Sequence, residues 1–127
     1  MPDASCLCGA VTIAIKGPLE RLSACHCTQC RKHSGHYWAA TTMPLTQITY
    51  SGPVTWFRSS PAAQRGFCAT CGSTLFWKPD GQDHMSISLG LFDTATGITP
   101  GPNGLTHIFT ASKGDYYDLP PDEAQDP

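Results

Sequence analysis

Seven cysteines in three short clusters constrain this chain more than any other feature of its sequence. They are Cys6 and Cys8 (the N-terminal pair), Cys25, Cys27 and Cys30 (the triplet), and Cys68 and Cys71 (the central pair). The first residues have no basic region followed by an apolar run, so we predict no signal peptide and a cytoplasmic protein, where thiols stay reduced. An odd number of thiols in such a chain indicates metal binding rather than disulfides.

The clusters can be divided between metal sites in two ways. A structural zinc site is closed by four protein ligands, whereas a catalytic zinc site has three and keeps one position open. Ligand counting therefore favours a structural site of Cys6, Cys8, Cys68 and Cys71 and a catalytic site of Cys25, Cys27 and Cys30. The alternative joins the last two cysteines of the triplet to the central pair as in a zinc ribbon, which leaves three thiols without partners.

The segment around the triplet, "CHCTQCRKHSGH" (25–36), also carries three histidines. His26 lies between two predicted ligands, so it is a candidate catalytic proton relay, although a solvent-facing spacer fits the sequence slightly better. His33 could lie on the same helix face as Cys30. As a fourth ligand it would close the site and make it structural, and His36 has the same ambiguity. Nearby cations, Arg31, Lys32 and Arg65, could offset thiolate charge or be solvated surface groups.

Short segments with a period of two residues predict a mainly β, antiparallel fold. We predict strands at 11–15, 37–42, 48–51, 54–57, 73–78, 85–92 and 106–109, with a further strand ending at Phe67. Gly and Pro occur throughout the chain, which argues against long helices. We predict one short helix near residues 28–34, capped by Thr28 and ended by Gly35.

The length of 127 residues fits a single domain, which we place at residues 1–118. The remainder, residues 119–127, is acidic and rich in Pro, and its composition predicts disorder. A net charge of −2, with charged residues at 14%, argues against a nucleic-acid partner. The chain has no apolar run of the roughly 20 residues that a membrane helix needs. Oligomeric state is not determined by these features.

Four segments together resemble one known family. They are "SCLCGAVTIAI", "CHCTQCRKHSG", "RGFCATCGSTLFW" and "HIFTASKGDYYDL", in that order between about residues 5 and 118. They look like the glutathione-dependent formaldehyde-activating enzyme (GFA) family, which includes centromere protein V-like domains. The resemblance implies a small β-tent fold around zinc. It also implies two zinc ions per chain, with the four-cysteine site structural and the triplet catalytic.

The same resemblance implies a carbon–sulfur lyase that condenses formaldehyde with glutathione. The residues are compatible with this activity, because an ion held by three thiolates is a soft centre suited to binding another thiolate. We therefore expect a small-molecule thiol, or its adduct with a small carbonyl, as the partner of the open position. Two other hypotheses remain: a non-catalytic zinc β domain that binds a protein or small ligand, and a thiol-based metal or redox sensor.

Overall fold

The computed structural model describes residues 3–127, and this part of the chain is mainly β with one short α-helix. The strands are β1 Ala4–Ser5, β2 Thr12–Ile15, β3 Leu22–Cys25, β4 Trp38–Pro44, β5 Ile48–Ser51, β6 Val54–Ser60, β7 Ala63–Cys68, β8 Thr74–Pro79, β9 His84–Ser88 and β10 Thr106–Ile108. The helix, α1, spans Thr28–Ser34. The predicted fold class is confirmed.

The strands form two sheets. A three-stranded sheet has the order β1-β2-β5, and a seven-stranded sheet has the order β10-β3-β4-β9-β8-β7-β6. All of the named strand pairs are antiparallel except β10 with β3, which is parallel. This one pair departs from the antiparallel expectation. It arises because β10 returns from far along the chain and occupies the edge beside β3, where it has no hairpin to set its direction.

The main core lies between the two sheets. Ile13 of β2, Phe76 of β8 and Ile87 of β9 are completely buried in it. Trp56 of β6 stacks on Phe76 with ring centroids 5.8 Å apart. Two of the cysteines, Cys6 and Cys68, belong to this core cluster. A smaller cluster surrounds the triplet and includes Trp38 and Ala40 of β4. Each apolar cluster therefore contains cysteines: the main core contains Cys6 and Cys68, and the smaller cluster contains Cys25 and Cys30.

Local interactions explain the limits of α1. Its N-cap is Cys27 rather than the expected Thr28, and the Cys27 sulfur accepts a hydrogen bond from the Cys30 backbone N–H at 3.3 Å. A predicted metal ligand thus also caps the helix. The helix ends at Gly35, as expected, where φ is 90° and the backbone N–H donates to the Arg31 carbonyl. Within residues 3–127, no helix has the length and hydropathy needed to span a membrane.

The C-terminal segment differs from the expectation of disorder. Its backbone runs beside β10: the His107 N–H donates to the Ala124 carbonyl at 2.7 Å, and the Asp126 N–H donates back to the His107 carbonyl at 2.8 Å. His107 and Gln125 form a parallel bridge. The segment is held mainly by polar contacts with a sheet edge, and composition alone does not reveal a free edge that can supply such contacts.

Candidate metal centres and active site

The N-terminal and central pairs come together as one four-cysteine cluster. The sulfurs of Cys6, Cys8, Cys68 and Cys71 all lie within 4.8 Å of one another. Cys6 and Cys8 sulfurs are 3.6 Å apart, and those of Cys8 and Cys68 are 3.9 Å apart. The edge of a sulfur tetrahedron around zinc, with bonds of about 2.3 Å, is about 3.8 Å. The cluster therefore has the dimensions of a closed zinc site.

Hydrogen bonds from neighbouring groups hold these sulfurs in place. Backbone N–H groups donate from Val11 to Cys6 at 3.2 Å and from Cys71 to Cys68 at 3.5 Å. The Ser73 side chain lies 3.1 Å from the Cys71 sulfur, and this hydrogen bond lowers the pKa of the Cys71 thiol to about 5. These donors favour the thiolate form that metal binding requires.

The triplet forms a second cluster by itself. The sulfurs of Cys25, Cys27 and Cys30 lie within 4.8 Å of one another. Cys25 ends β3, Cys27 caps α1, and Cys30 lies one turn into the helix. A strand end followed at once by a helix start thus turns three thiols of one short segment toward a common point. All seven cysteines are free thiols.

This grouping matches the four-plus-three division of the ligands. Among the described residues, no group of potential ligands joins the triplet to the central pair, as the ribbon alternative requires. His33 does not join the triplet either, because its ring nitrogens are not within 4.8 Å of all three sulfurs. The Nδ1 atom of His33 is instead buried without a hydrogen-bond partner. The protein ligands around the triplet therefore number three.

The triplet opens onto a cavity of about 520 Å³. The cavity is lined by Ser23, Cys25, Cys27, Thr28, Gln29, Cys30, Trp38, Thr42, Ser60, Arg65, Trp77, Ser86, Ile108, Phe109 and Ser112. Most of the side chains other than the thiols are hydroxyl-bearing or aromatic. A volume of this size holds a small molecule beside the sulfurs. The position opposite the three thiols is thus accessible to a ligand.

Arg65 supplies positive charge at the triplet. Its side chain is only 5% exposed, and Nη2 lies 3.5 Å from the Cys30 sulfur. The hydrogen bond from Cys25 and the charge of Arg65, acting against burial, lower the pKa of the Cys30 thiol to about 6. The same Cys25–Cys30 hydrogen bond, together with burial, raises the pKa of Cys25. Arg65 therefore compensates part of the negative charge that three thiolates would carry.

His26 is neither a relay facing the cavity nor a spacer facing solvent. It is fully buried and does not line the cavity. Its Nδ1 is 2.5 Å from the Tyr117 hydroxyl, and its Nε2 is 2.8 Å from Nδ1 of His107. Burial and the neighbouring His107 lower the pKa of His26 to about 4. Side chains alternate across a strand, so the residue after Cys25 points away from the side on which the thiol opens.

Sequence reasoning missed three residues that contact the histidines, namely Tyr116, Tyr117 and Glu123. Tyr117 and Glu123 contact the histidines from the C-terminal part of the chain, and Glu123 accepts from His107 Nε2 at 2.8 Å. His36, which we considered as a ligand, is hydrogen-bonded to the Tyr116 hydroxyl at 2.6 Å. The "HIF" segment and the paired tyrosines were visible in the sequence, but no spacing rule connects them with residues about 80 positions earlier.

These features define a small β-rich domain with two cysteine clusters that fit metal ions, one closed by four protein ligands and one open to a cavity. A sequence profile of the glutathione-dependent formaldehyde-activating enzyme family matches residues 1–112. The chain belongs to this family.

Two individual proteins are similar to the chain. An uncharacterized lyase of Schizosaccharomyces pombe is 30% identical over 99 residues, which cover 76% of this chain and 72% of the relative. A crystal structure of a Rhodobacter sphaeroides protein is 23% identical and has a TM-score of 0.60, with 76% of this chain and 90% of that chain covered. The second similarity supports the fold alone.

Proposed function

We propose that the protein is a zinc-dependent carbon–sulfur lyase that makes and breaks the adduct of a thiol with a small carbonyl compound. The observation that carries this proposal is the triplet, whose three sulfurs open together onto one cavity of about 520 Å³. Family membership and the relative named as a lyase agree with this class of reaction.

In the proposed reaction, the sulfur of the thiol bonds to the carbonyl carbon. The carbonyl becomes a hydroxyl, and the proton of the thiol ends on that oxygen; the reverse direction releases both compounds. Cys25, Cys27 and Cys30 would hold the zinc ion, which when bound supplies a soft Lewis acid that lowers the pKa of a thiol. The four-cysteine cluster would hold a second, structural ion.

The remaining residues of the cavity have roles that follow from their chemistry. Arg65 limits the negative charge at the triplet, so that an incoming thiolate meets less repulsion. Hydroxyl groups such as those of Ser23 and Ser86 can donate to a carbonyl oxygen as negative charge develops on it. Trp38 and Trp77 form an apolar part of the cavity wall and keep water away from the reacting groups. His26 does not line the cavity and takes no direct part in the reaction.

The charges around the cavity bear on which thiol is bound. Among the described lining residues, Arg65 alone is a cation, and it already contacts Cys30. Arg31 and Lys113 lie outside this lining and donate to backbone carbonyls: Arg31 donates through Nε to Ser112, and Lys113 donates to Gly114 and Tyr117. Glutathione carries two carboxylates and would need two cations. We therefore propose that thiols with no more than one carboxylate bind better than glutathione.

Cobalt substitution tests the proposal. Cobalt bound by thiolates has charge-transfer bands that change when a further sulfur ligand is added. We expect 2-mercaptoethanol and 3-mercaptopropionate to change these bands at lower concentration than glutathione, and the alcohol analogue of each thiol to have no effect. Accelerated equilibration of formaldehyde with the same thiols would support the reaction itself. If no thiol changes the bands at millimolar concentration, the thiol-adduct function is wrong and a non-catalytic binding domain becomes the better hypothesis.

A further inference from the structure

Four side chains form a continuous hydrogen-bonded series behind the triplet. Tyr117 contacts Nδ1 of His26, Nε2 of His26 contacts Nδ1 of His107, and Nε2 of His107 contacts Glu123, with separations of 2.5, 2.8 and 2.8 Å. Both histidines are almost completely buried. The series links the residue between two of the cysteines to the C-terminal segment. The lyase chemistry proposed above does not use any of these four groups.

The direction of every hydrogen bond follows from its last member. An ionised carboxylate only accepts, so Glu123 requires a proton on Nε2 of His107. With one proton on its ring, His107 then accepts at Nδ1, which requires a proton on Nε2 of His26. Nδ1 of His26 in turn accepts from the Tyr117 hydroxyl. One carboxylate thus selects the Nε2–H tautomer of both histidines and leaves no donor or acceptor of either ring unmatched.

Glu123 is itself held firmly. Its side chain is 10% exposed, and its second oxygen accepts from the Gly101 N–H at 3.3 Å. The backbone that follows Glu123 is joined to β10 through the hydrogen bonds of Ala124 and Asp126 with His107. Tyr117 and Glu123 both lie beyond the residues matched by the family profile, which end at 112.

We infer that the C-terminal segment positions the triplet through Glu123, His107 and His26. The His26 backbone N–H also donates to the Ile108 carbonyl at 3.0 Å, so ring and backbone of this residue are fixed together. Because Cys25 and Cys27 flank His26, fixing it sets where both sulfurs point. His26, His107 and Glu123 are therefore positioning residues of the open metal site, and the inference rests on the metal-binding part of the proposed function.

Metal affinity in Glu123→Ala tests this inference with an internal reference. The matched control is Asp122→Ala, which removes the same charge from an exposed neighbouring position. Outer partners of metal ligands typically contribute 10–100-fold to affinity. In chelator competition with cobalt, we expect Glu123→Ala to weaken binding at the triplet by about tenfold or more and to leave the four-cysteine cluster within about twofold. Asp122→Ala should leave both sites unchanged. If Glu123→Ala weakens metal binding equally at both sites, or leaves the metal affinity of the triplet unchanged, the inference is overturned.

Nitrogen NMR of the histidine side chains provides a second test that needs no thiol and no measurement of activity. The wild-type protein loaded with zinc should show Nε2–H tautomers for both His26 and His107. Tyr117→Phe removes the contact at the other end of the series and should leave His107 in the Nε2–H form. Glu123→Ala removes the acceptor of that proton, so the Nε2–H form of His107 should no longer be favoured. An Nδ1–H tautomer of either ring in the wild type contradicts the proposed series. Because these measurements use no thiol, their failure is distinct from failure of the lyase proposal.

Discussion

Replacing one cysteine in each cluster should destabilise the protein to different extents. Cys68→Ser breaks a cluster that joins segments 60 residues apart, whereas Cys27→Ser affects a cluster within one short segment. In addition, Cys68 is 1% exposed in the main core, so that the new serine hydroxyl is buried among apolar groups. Cys27 is half-buried and lines the cavity.

The size of the difference can be estimated from chain entropy. If a metal cross-link restricts the unfolded chain as a disulfide does, closing a loop of about 60 residues stabilises the fold by about 4 kcal/mol. The same relation gives about 2 kcal/mol for the triplet. For a domain of this size, we expect Cys68→Ser to lower the Tm by roughly 15 °C and Cys27→Ser by roughly half as much.

Thermal unfolding of both variants, loaded with zinc and followed by circular dichroism, is the measurement. Zinc analysis on the same samples should show that Cys27→Ser retains the ion of the four-cysteine cluster. In excess chelator the part of the Tm difference that comes from the cross-links should disappear, and only the cost of the buried serine hydroxyl should remain. Equal loss of stability with zinc bound, or a larger loss for Cys27→Ser, would refute the assignment of the structural role to the four-cysteine cluster.

Three further predictions concern other parts of the molecule. Arg65→Met should weaken metal binding at the triplet about 10–100-fold in chelator competition, because it removes the cation beside the Cys30 sulfur. Gly52→Ala should lower the Tm at least twice as much as Gly81→Ala: both have positive φ, but a β-carbon at Gly52 would lie 2.1 Å from a backbone oxygen, whereas one at Gly81 meets nothing within 4 Å. The hydrogen bond from a histidine lowers the pKa of Glu123, so its contribution to stability is present above pH 4.5 and is lost as the pH falls through the lowered pKa. The Tm difference between the wild type and Glu123→Gln should therefore narrow as the pH falls below 4.5. A difference that stays constant with pH would contradict this prediction.

The sequence was sufficient for the features that depend on local pattern. The helix at 28–34 ends at the glycine that predicts its C-terminus, although its N-cap is one residue earlier than expected, and the strand at 48–51 appears where alternation predicts it. Ligand counting also anticipated which sulfurs lie together. Each of these inferences uses either neighbouring residues or the coordination number of one ion, and neither requires knowledge of the sheet order.

Features that depend on distant pairing were missed. The strand β3, Leu22–Cys25, contains only four residues and no bulky alternation, and it is stabilised by β4 on one side and β10 on the other. The burial of His26 follows from that pairing, since its partners lie 81 and 91 positions away in the chain. Likewise, nothing local shows that an acidic, Pro-rich tail meets the edge of β10.

The parallel pairing of β10 with β3 has a consequence for synthesis on the ribosome. All the strands and cysteines of the four-cysteine cluster have been translated once Cys71 has been added, but β3 lacks its outer neighbour until residues 106–108 follow. At 5–20 residues per second, this interval lasts roughly 2–7 s. During it, an unpaired strand edge ending in Cys25 is exposed beside two further thiols. The strand edge and the three thiols of the triplet are therefore open to oxidation and to wrong strand pairing during this interval.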